Sequence, residues 1–205
     1  GLWEIRAGEK HYLASKLMCW TALDRAIQIS ESDGLEAPIA EWRDIRDAIR
    51  NRILNEGYNS NLGAFTQSFA SPDLDCSALL IPLVGMLDPK DFRMTSTVAK
   101  IRNTLELDGL LYRYRTEDGL GGPEGAFTIC TFWLVEVLAL QGRLEEADRL
   151  FGRMLQRSSK VGLFSEEIDP ESGDLLGNYP QGLPHLALIR AAVSLETSVE
   201  NRREF

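Results

Sequence analysis

The feature that most constrains the fold of this chain is the alternation of two kinds of apolar helical pattern. Some segments are apolar on every side of a helix, whereas the segments between them have one apolar and one charged face. A helix that is apolar all round must be buried on every side, and a one-sided helix covers the outside of a core. Strand-type alternation is almost absent. The sequence therefore predicts an all-α fold with inner and outer helices.

Seven helices are predicted, four inner and three outer. The inner ones begin near residues 11, 74, 125 and 182, so the repeat is about 50 to 60 residues long, which is too long for a tetratricopeptide array. This spacing suits inner and outer helix pairs arranged as a toroid. The chain would supply roughly seven of the twelve helices of a closed ring of six pairs. The predicted helices cover residues 11–30, 37–55, 73–87, 92–107, 125–142, 144–156 and 181–195.

Long polar loops precede the inner helices, whereas the turns that follow these helices are short. The long loops are rich in glycine, aromatic and charged residues. A ring that has its long loops at one end is expected to have its functional site at that end. The four loops are GLWEIRAGEKHY, GYNSNLGAFTQSFASPDLD, LYRYRTEDGLGGPEGAF and FSEEIDPESGDLLGNYPQGLPH.

Charge and cysteine usage exclude several classes of function. The net charge of −9 argues against a nucleic-acid or anionic-membrane partner, which would need clusters of Lys and Arg. Cys19, Cys76 and Cys130 are odd in number and lack metal-ligand spacing, so we expect buried reduced thiols and no zinc site. No signal peptide or membrane-spanning run is visible, and a cytoplasmic protein is expected.

Two of the loops carry carboxylates that suit glycoside hydrolysis. In that reaction one carboxyl protonates the leaving oxygen, and the other activates water or attacks the sugar. Glu4 follows Trp3, and an aromatic neighbour disfavours the ionised form of a carboxyl, as an acid catalyst requires. The second carboxyl would come from Glu166 or Glu167. A Glu before an apolar helix can also stabilise the helix through its dipole without any catalytic role. Spacing alone leaves this structural alternative open.

Three long stretches resemble glycoside hydrolase family 15, which contains glucoamylases, glucodextranases and a bacterial trehalase-like branch. The resemblance runs from Trp3 to about Leu195, in the family's order and at its separations. It implies an (α/α)6 barrel, with residues 1–200 as the C-terminal portion of the catalytic domain and 201–205 as a polar tail. The first part of the barrel and an N-terminal β-sandwich would then be missing. The stretches are GLWEIRAGEKHYLASKLMCWTALDRAI, GLLYRYRTEDGLGGPEGAFTICTFWLVEVLALQGRLEEA and LFSEEIDPESGDLLGNYPQGLPHLALI.

The resemblance also implies roles for particular residues. Glu4 matches the family's general acid, and Glu166 matches the general base that activates water for an inverting displacement. Glucoamylases have a second acid directly after the first, but this chain has Ile5 there, which favours the trehalase-like branch. The substrate contacts implied by the resemblance, or by the bacterial pattern WExR…SK, are Trp3, Arg6, Lys16, Arg113 and Glu124.

For the other aromatic and polar residues near the loops, the sequence leaves some roles open and predicts structural roles for the rest. Tyr112 and Tyr114 alternate with Arg113 and Arg115, so only one pair can point inward, and the sequence leaves open which. His11 is either a pocket residue or a histidine at the start of a helix. The predicted core and cap residues are Trp20, Phe132, Trp133, His185, Asp73 and Asp75.

The expected activity is exo-acting hydrolysis of α-glucosides, with trehalose ahead of maltooligosaccharides and with no metal or organic cofactor. The alternative is a non-catalytic helical-repeat binding or scaffold protein, in which Glu4 and Glu166 would point apart. A terpene cyclase would need an aspartate-rich motif, which the sequence lacks. A partial ring would expose apolar seams, so self-association or pairing with the missing N-terminal part is also predicted.

Overall fold

The structure, a computed structural model, describes residues 1–3, 8–116 and 124–203. Seven helices form in these ranges, as predicted, and α6 has the predicted bounds. The helices are α1 (Leu13–Asp33), α2 (Ile39–Glu56), α3 (Leu80–Leu83), α4 (Phe92–Leu105), α5 (Thr128–Leu140), α6 (Leu144–Gln156) and α7 (Gly182–Arg203).

The third predicted helix is much shorter than expected. Instead of one helix over 73–87, a 3-10 turn (Cys76–Leu79) leads into the single α-turn α3. Asp75 caps the 3-10 turn by accepting a hydrogen bond from the Ser77 amide. Pro82 lacks the N–H that a longer helix would use, and Gly85 takes a left-handed conformation just beyond α3. The apolar sequence thus predicted burial correctly but not an unbroken helix.

The helices pack in two layers, as the sequence predicts. Helices α1 and α5 both contact the 3-10 turn, and α5 also contacts α3 and packs extensively against α7. On the outside, α2 covers α1, α4 lies against the 3-10 turn, and α6 covers α5 and α7. The described helices form an arc of inner and outer pairs that does not close into a barrel.

Only α5 among the long inner helices shows the all-round burial expected of them. Almost all of its side chains are buried, with Leu140 exposed at its end. Helix α1 is buried on one face and exposes Met18 and Ile29, so the prediction was wrong there. Helix α7 is not buried all round either, because it lies at an end of the described arc and has an inner neighbour on one side. Its exposed face agrees with the apolar seam predicted for a partial ring. The exposed apolar residues of α7 are Leu183, Leu186, Ile189 and Val193.

The cysteines differ from the prediction of three buried thiols. Cys19 is exposed on α1. Cys76 and Cys130 form a disulfide, with their Cα atoms 6.1 Å apart, because the 3-10 turn packs against the first turn of α5. The thiol argument for a cytoplasmic protein therefore falls away. None of the described helices has the length and apolar character needed to cross a bilayer.

Short antiparallel strands tie the loops together. Strands β1 (Tyr58–Asn59) and β2 (Ala64–Phe65) form one hairpin, and β3 (Glu106–Leu107) and β4 (Leu110–Leu111) form another. The third sheet has the order β5-β6-β7, with strands Ala126–Phe127, Glu167–Ile168 and Leu175–Leu176. This sheet joins the start of α5 to the loop before α7.

Candidate active site

The three-stranded sheet positions Glu166 and Glu167 beside the N-terminal end of α5. Phe127 of β5 lies opposite Glu167 of β6, and the Thr128 amide donates a hydrogen bond to the Glu166 carbonyl at 3.0 Å. On the other side of the pair, the Glu166 amide donates to the Asn178 carbonyl at 2.9 Å. The backbone of Glu166 is therefore bonded to both neighbouring segments.

The carboxylates of Glu166 and Glu167 have different surroundings. Successive residues of an extended segment point to opposite faces, so the two side chains meet different neighbours. The Glu166 carboxylate accepts hydrogen bonds from the amide and the side-chain Nδ2 of Asn178, at 3.1 and 2.8 Å. The Glu167 carboxylate accepts one from the Gly125 amide at 2.8 Å. Burial raises the pKa of Glu167, although the Gly125 amide and the Arg113 charge act in the opposite direction.

Two glycines leave the space that these carboxylates occupy. A Cβ atom at Gly177 would lie 2.9 Å from Oε2 of Glu166, and one at Gly125 would lie 2.9 Å from Oε2 of Glu167. Gly177 also has a positive φ of 70°, a conformation that other residues rarely adopt. The close approach of the backbone at both positions thus depends on the absence of a side chain.

Trp3, the residue before Glu4, packs against the same end of α5. Its ring centroid lies 5.3 Å from that of Phe127 and 6.1 Å from that of Trp133. Its indole N–H donates to both carboxylate oxygens of Asp75, at 3.0 and 3.1 Å. Trp3, directly before Glu4, therefore packs against β5, the strand that pairs with Glu167.

Arg113 lies in the same cluster, and its surroundings depart from the alternation expected from the sequence. Its guanidinium lies 4.6 Å from the Phe127 ring centroid and 5.9 Å from that of Trp3, and it forms an ion pair with Glu124. Tyr114 is buried under Arg113. Tyr112 is half-buried and Arg115 is exposed over its ring. One tyrosine and one arginine are therefore enclosed, and the expectation that only the two tyrosines or only the two arginines point inward was wrong.

The remaining candidate residues lie elsewhere or outside the described ranges. Glu4 and Arg6 are outside the described residues, so their positions relative to Glu166 stay predictions. Lys16 is half-buried near the start of α1. A hydrogen bond from Arg52 lowers the pKa of Glu56, and the charge of Lys16 adds to that effect. The structure thus associates Lys16 with the end of α2, and its contact with substrate also stays a prediction.

Several residues of the cluster were given other roles by the sequence or were not predicted. Asp75 is a cap as predicted, but it also binds Trp3 from 72 positions away. Trp133 is half-buried against Trp3 rather than in the deep core. Asn178 was not singled out, although its place in the glycine-rich loop after the two glutamates was a usable signal.

The two histidines lie outside the carboxylate cluster. His185 is structural as predicted, since its ring nitrogens bond the Gln181 carbonyl at 2.7 Å and the Phe164 amide at 3.3 Å. His11 is exposed, with its ring beside that of Phe69. No group of three or more potential metal ligands occurs among residues 1–3, 8–116 and 124–203.

A cavity of about 890 Å³ lies away from this cluster, between the later turns of α1 and α5. Its lining includes Asp24, Arg46, Glu136 and Arg190, but none of the loop residues described above. The cavity is open and lined by charges of both signs. Volume alone therefore does not identify the site, whereas the carboxylates, the arginine and the aromatic rings meet at the loop end.

Comparisons with known proteins identify relatives of this chain. The family model for glycosyl hydrolases family 15 matches residues 1–193. A trehalase of Thermoplasma volcanium is 41% identical over 98% of this chain and 32% of its own length. A trehalase of Mycobacterium tuberculosis is 46% identical over 94% of this chain and 29% of its own length. The chain thus spans about a third of the length of these curated relatives.

Solved structures support the fold. A variant glycosidase in complex with glucose matches with a TM-score of 0.78 at 20% identity, over 93% of this chain and 53% of the other. A bacterial glucoamylase complexed with acarbose also gives a TM-score of 0.78, at 18% identity, over 91% of this chain and 34% of the other. The arc of inner and outer helices is therefore part of an (α/α)6 toroid.

Proposed function

Because the chain belongs to glycosyl hydrolases family 15, we propose that it is the C-terminal part of the catalytic domain of an inverting, exo-acting α-glucosidase. Trehalose is the proposed substrate, ahead of maltooligosaccharides, since the curated relatives described above are trehalases and Ile5 replaces the second acid of glucoamylases. One observation carries the proposal. The Glu166 carboxylate lies at the loop end, in the cluster that also contains the residue preceding Glu4.

Glu166 is the proposed general base. Within the described residues, both of its side-chain hydrogen bonds go to Oε2, from the amide and the Nδ2 of Asn178. Its Oε1 accepts no hydrogen bond from these residues, and we propose that this oxygen binds the attacking water molecule. A base held in one orientation by two donors can take a proton from that water as the water attacks the anomeric carbon.

Glu4 is the proposed general acid, which protonates the leaving oxygen. In an inverting enzyme the two carboxyl groups are about 6.5–9.5 Å apart, so that a water molecule fits between one of them and the sugar. Trp3 would form a wall of the pocket beside the acid. Arg113 and Glu124 would bind sugar hydroxyls from the rim, and Arg6 and Lys16 are proposed as further substrate contacts.

Glucose release from trehalose and from maltose tests the proposal. The chain would be assayed alone and together with the N-terminal part of the domain, as the wild type and as the variants Glu166→Gln and Glu167→Gln. We expect Glu166→Gln to lower kcat by about 10²- to 10⁴-fold, as the loss of a general base does. Glu167→Gln is the matched control, because a glutamine can still accept the Gly125 hydrogen bond, and its kcat should stay within about 10-fold of wild type.

Two results would contradict these roles. If Glu166→Gln kept wild-type turnover while Glu167→Gln lost it, the base would be the second glutamate. If neither substrate released glucose even with the N-terminal part present, the chain would fit the alternative of a non-catalytic binding protein. In that case binding of trehalose without turnover, measured by calorimetry, would support a binding function.

A further inference from the structure

One loop, residues 66–75, contacts the N-terminal segment on both sides of Glu4. On the near side, Asp75 accepts two hydrogen bonds from the Trp3 indole. On the far side, the Leu13 amide donates to the Gln67 carbonyl at 2.9 Å, and the Phe69 amide donates to the His11 carbonyl at 3.0 Å. The segment between Trp3 and His11 is therefore attached at both ends to the same loop.

Gln67 connects the two attachments. Its carbonyl accepts from Leu13 at the start of α1, and its side-chain Nε2 donates to Oδ2 of Asp75 at 3.3 Å. The Gln67 amide in turn donates to the Asp73 carbonyl at 2.8 Å, which closes the loop on itself. Because Gln67 and Asp75 are both buried, these bonds are shielded from competing water.

Capping the 3-10 turn does not by itself explain why a carboxylate is buried at position 75. Its side chain accepts from Trp3, from Gln67 and from the Ser77 amide at 2.7 Å, but no cation pairs with it in the described part of the chain. Burial is the largest effect on this carboxyl and raises its pKa. A serine caps a helix without burying a charge. A carboxylate is better explained because it can accept hydrogen bonds from the Trp3 indole and from the Ser77 amide at once.

The residue after Asp75 holds a second part of the pocket. The Cys76 amide donates to the Arg113 carbonyl at 2.8 Å. The Arg113 guanidinium lies over the rings of Trp3 and Phe127. Asp75 and Cys76 thus set the position of Trp3 by a side chain and of Arg113 by the backbone, and a shift of this turn would move both.

We propose that Asp75 is a positioning residue of the glycosidase, which holds the Trp3 indole and thereby fixes the backbone from which Glu4 projects. This inference rests on the proposed function for the role of Glu4. Asp75 itself does not reach the sugar in this mechanism. It acts through Trp3, so that removal of Asp75 should matter only while the indole N–H is present.

A double-mutant cycle tests this dependence. Asp75→Ser keeps a cap for the Ser77 amide but is too short to bond the indole, and Trp3→Phe keeps an aromatic ring but removes the donor. Because a misplacement of about 1 Å can cost 10²-fold in rate, we expect Asp75→Ser to lower kcat about 10- to 100-fold with a much smaller change in KM. In the Trp3→Phe background the same substitution should cost less than about 3-fold.

A conservative variant separates positioning from a general loss of structure. Asp75→Asn keeps an oxygen acceptor and the cap, so it should recover most of the activity that Asp75→Ser loses. Additive effects of Asp75→Ser and Trp3→Phe on kcat would overturn the proposal. An Asp75→Asn variant as impaired as Asp75→Ser would also overturn it.

A second measurement does not depend on turnover. The indole N–H resonance of Trp3 in a ¹⁵N-labelled chain, assigned by its absence in Trp3→Phe, reports directly on the bond to Asp75. We expect this resonance to shift in Asp75→Ser while those of Trp20 and Trp42 stay in place. An unchanged Trp3 resonance would overturn the positioning role even if glucose release were never detected, whereas absence of glucose release alone would contradict only the proposed function.

Discussion

Carboxylates at the loop end of the arc differ from those on its outer face in the groups that bind them. At the loop end, Asp75, Glu166 and Glu167 accept hydrogen bonds from neutral donors, namely an indole, side-chain amides and backbone amides. On the outer face, Glu106 and Glu146 pair with Arg102 of α4, and Glu146 also pairs with Arg143, just before α6. Among the described residues of the loop end, the ion pair between Arg113 and Glu124 departs from this pattern.

The two environments move the pKa in opposite directions. Burial raises the pKa of Asp75 and of Glu167. Burial also acts on Glu146, but hydrogen bonds from Arg102 and Arg143 outweigh it and hold the pKa of Glu146 below its ordinary value. Burial favours the neutral form of a carboxyl, and neutral donors offset this effect less than arginine partners, which keep a carboxylate ionised. At these carboxyls the kind of donor thus decides whether the pKa lies above or below its ordinary value.

Glu136 combines both environments and gives the largest expected effect on stability. It is buried on α5, and its carboxylate accepts from Arg190 at 2.9 Å and from Ser194 at 3.2 Å, both on α7. Arg190→Met keeps the aliphatic stem but leaves Glu136 without its cation. Because the Arg190 side chain is 61% exposed, we expect a loss of about 2–3 kcal/mol in the free energy of unfolding, at the low end for a broken buried pair.

Urea denaturation measures this loss. The control is Arg52→Met, which removes an exposed i,i+4 pair with Glu56 on α2 and should leave the denaturation midpoint unchanged. A loss below about 1 kcal/mol for Arg190→Met would mean that the neutral Ser194 donor suffices. The cation would then not be needed to bury a carboxylate in this fold.

The carboxyls at the loop end and those on the outer face should affect the pH dependence of stability with opposite signs. A raised pKa means that the folded state binds more protons than the unfolded state, so Asp75 makes the protein less stable as pH rises from about 4. A lowered pKa means that Glu146 contributes stability above its ordinary pKa, and this is lost as pH falls. Asp75→Asn should therefore remove the loss of stability that accompanies a rise in pH. Glu146→Gln should remove the loss of stability that accompanies a fall in pH.

Urea unfolding of both variants and the wild type over a series of pH values checks these signs. The difference in stability between Asp75→Asn and the wild type should shift in favour of the variant as pH rises. The difference for Glu146→Gln should shift in favour of the wild type over the same series. Parallel slopes for the two variants would contradict the distinction between neutral donors and arginine partners.

The smallest effect is expected for Glu106, whose partner Arg102 lies one helical turn earlier at 2.6 Å. Glu106→Gln should lower the free energy of unfolding by about 0.5 kcal/mol at low salt, and about 1 M NaCl should abolish the difference because salt screens such pairs. The matched control is Asp75→Asn, whose effect should not change with salt. A salt-dependent effect at Asp75 would show that an unrecognised charge contributes to its binding.

Much of the fold follows from local sequence patterns. The one-sided apolar pattern of α6 predicted its bounds as observed, and the apolar run of α5 predicted its burial. The run before Gly85 gave an equally apolar signal, yet it forms a 3-10 turn and one α-turn. Hydrophobicity indicates burial, whereas continuity of the helix depends on the amide missing at Pro82.

The candidate site was only partly predictable, because its contacts join distant parts of the chain. Glu166 and Arg113 were predicted as site residues from motifs and stay predictions, whereas Asp75 was correctly predicted as a cap from its place before an apolar run. The bond between Asp75 and Trp3 spans 72 positions and has no local signal. The same is true of the contact between Trp3 and Trp133, since an aromatic residue on an apolar helix gives no indication of its partner.

The close approach at Gly125 and Gly177 has a consequence for how this chain can vary. Each of these positions faces a carboxylate that a single added methyl group would touch at 2.9 Å. Alanine, the mildest replacement in most surface loops, would here displace a glutamate. In a library of all single substitutions, Gly177 should therefore tolerate as few replacements as Glu166, the proposed base. Intolerance to mutation at this end of the molecule would thus extend to a position that has no side chain.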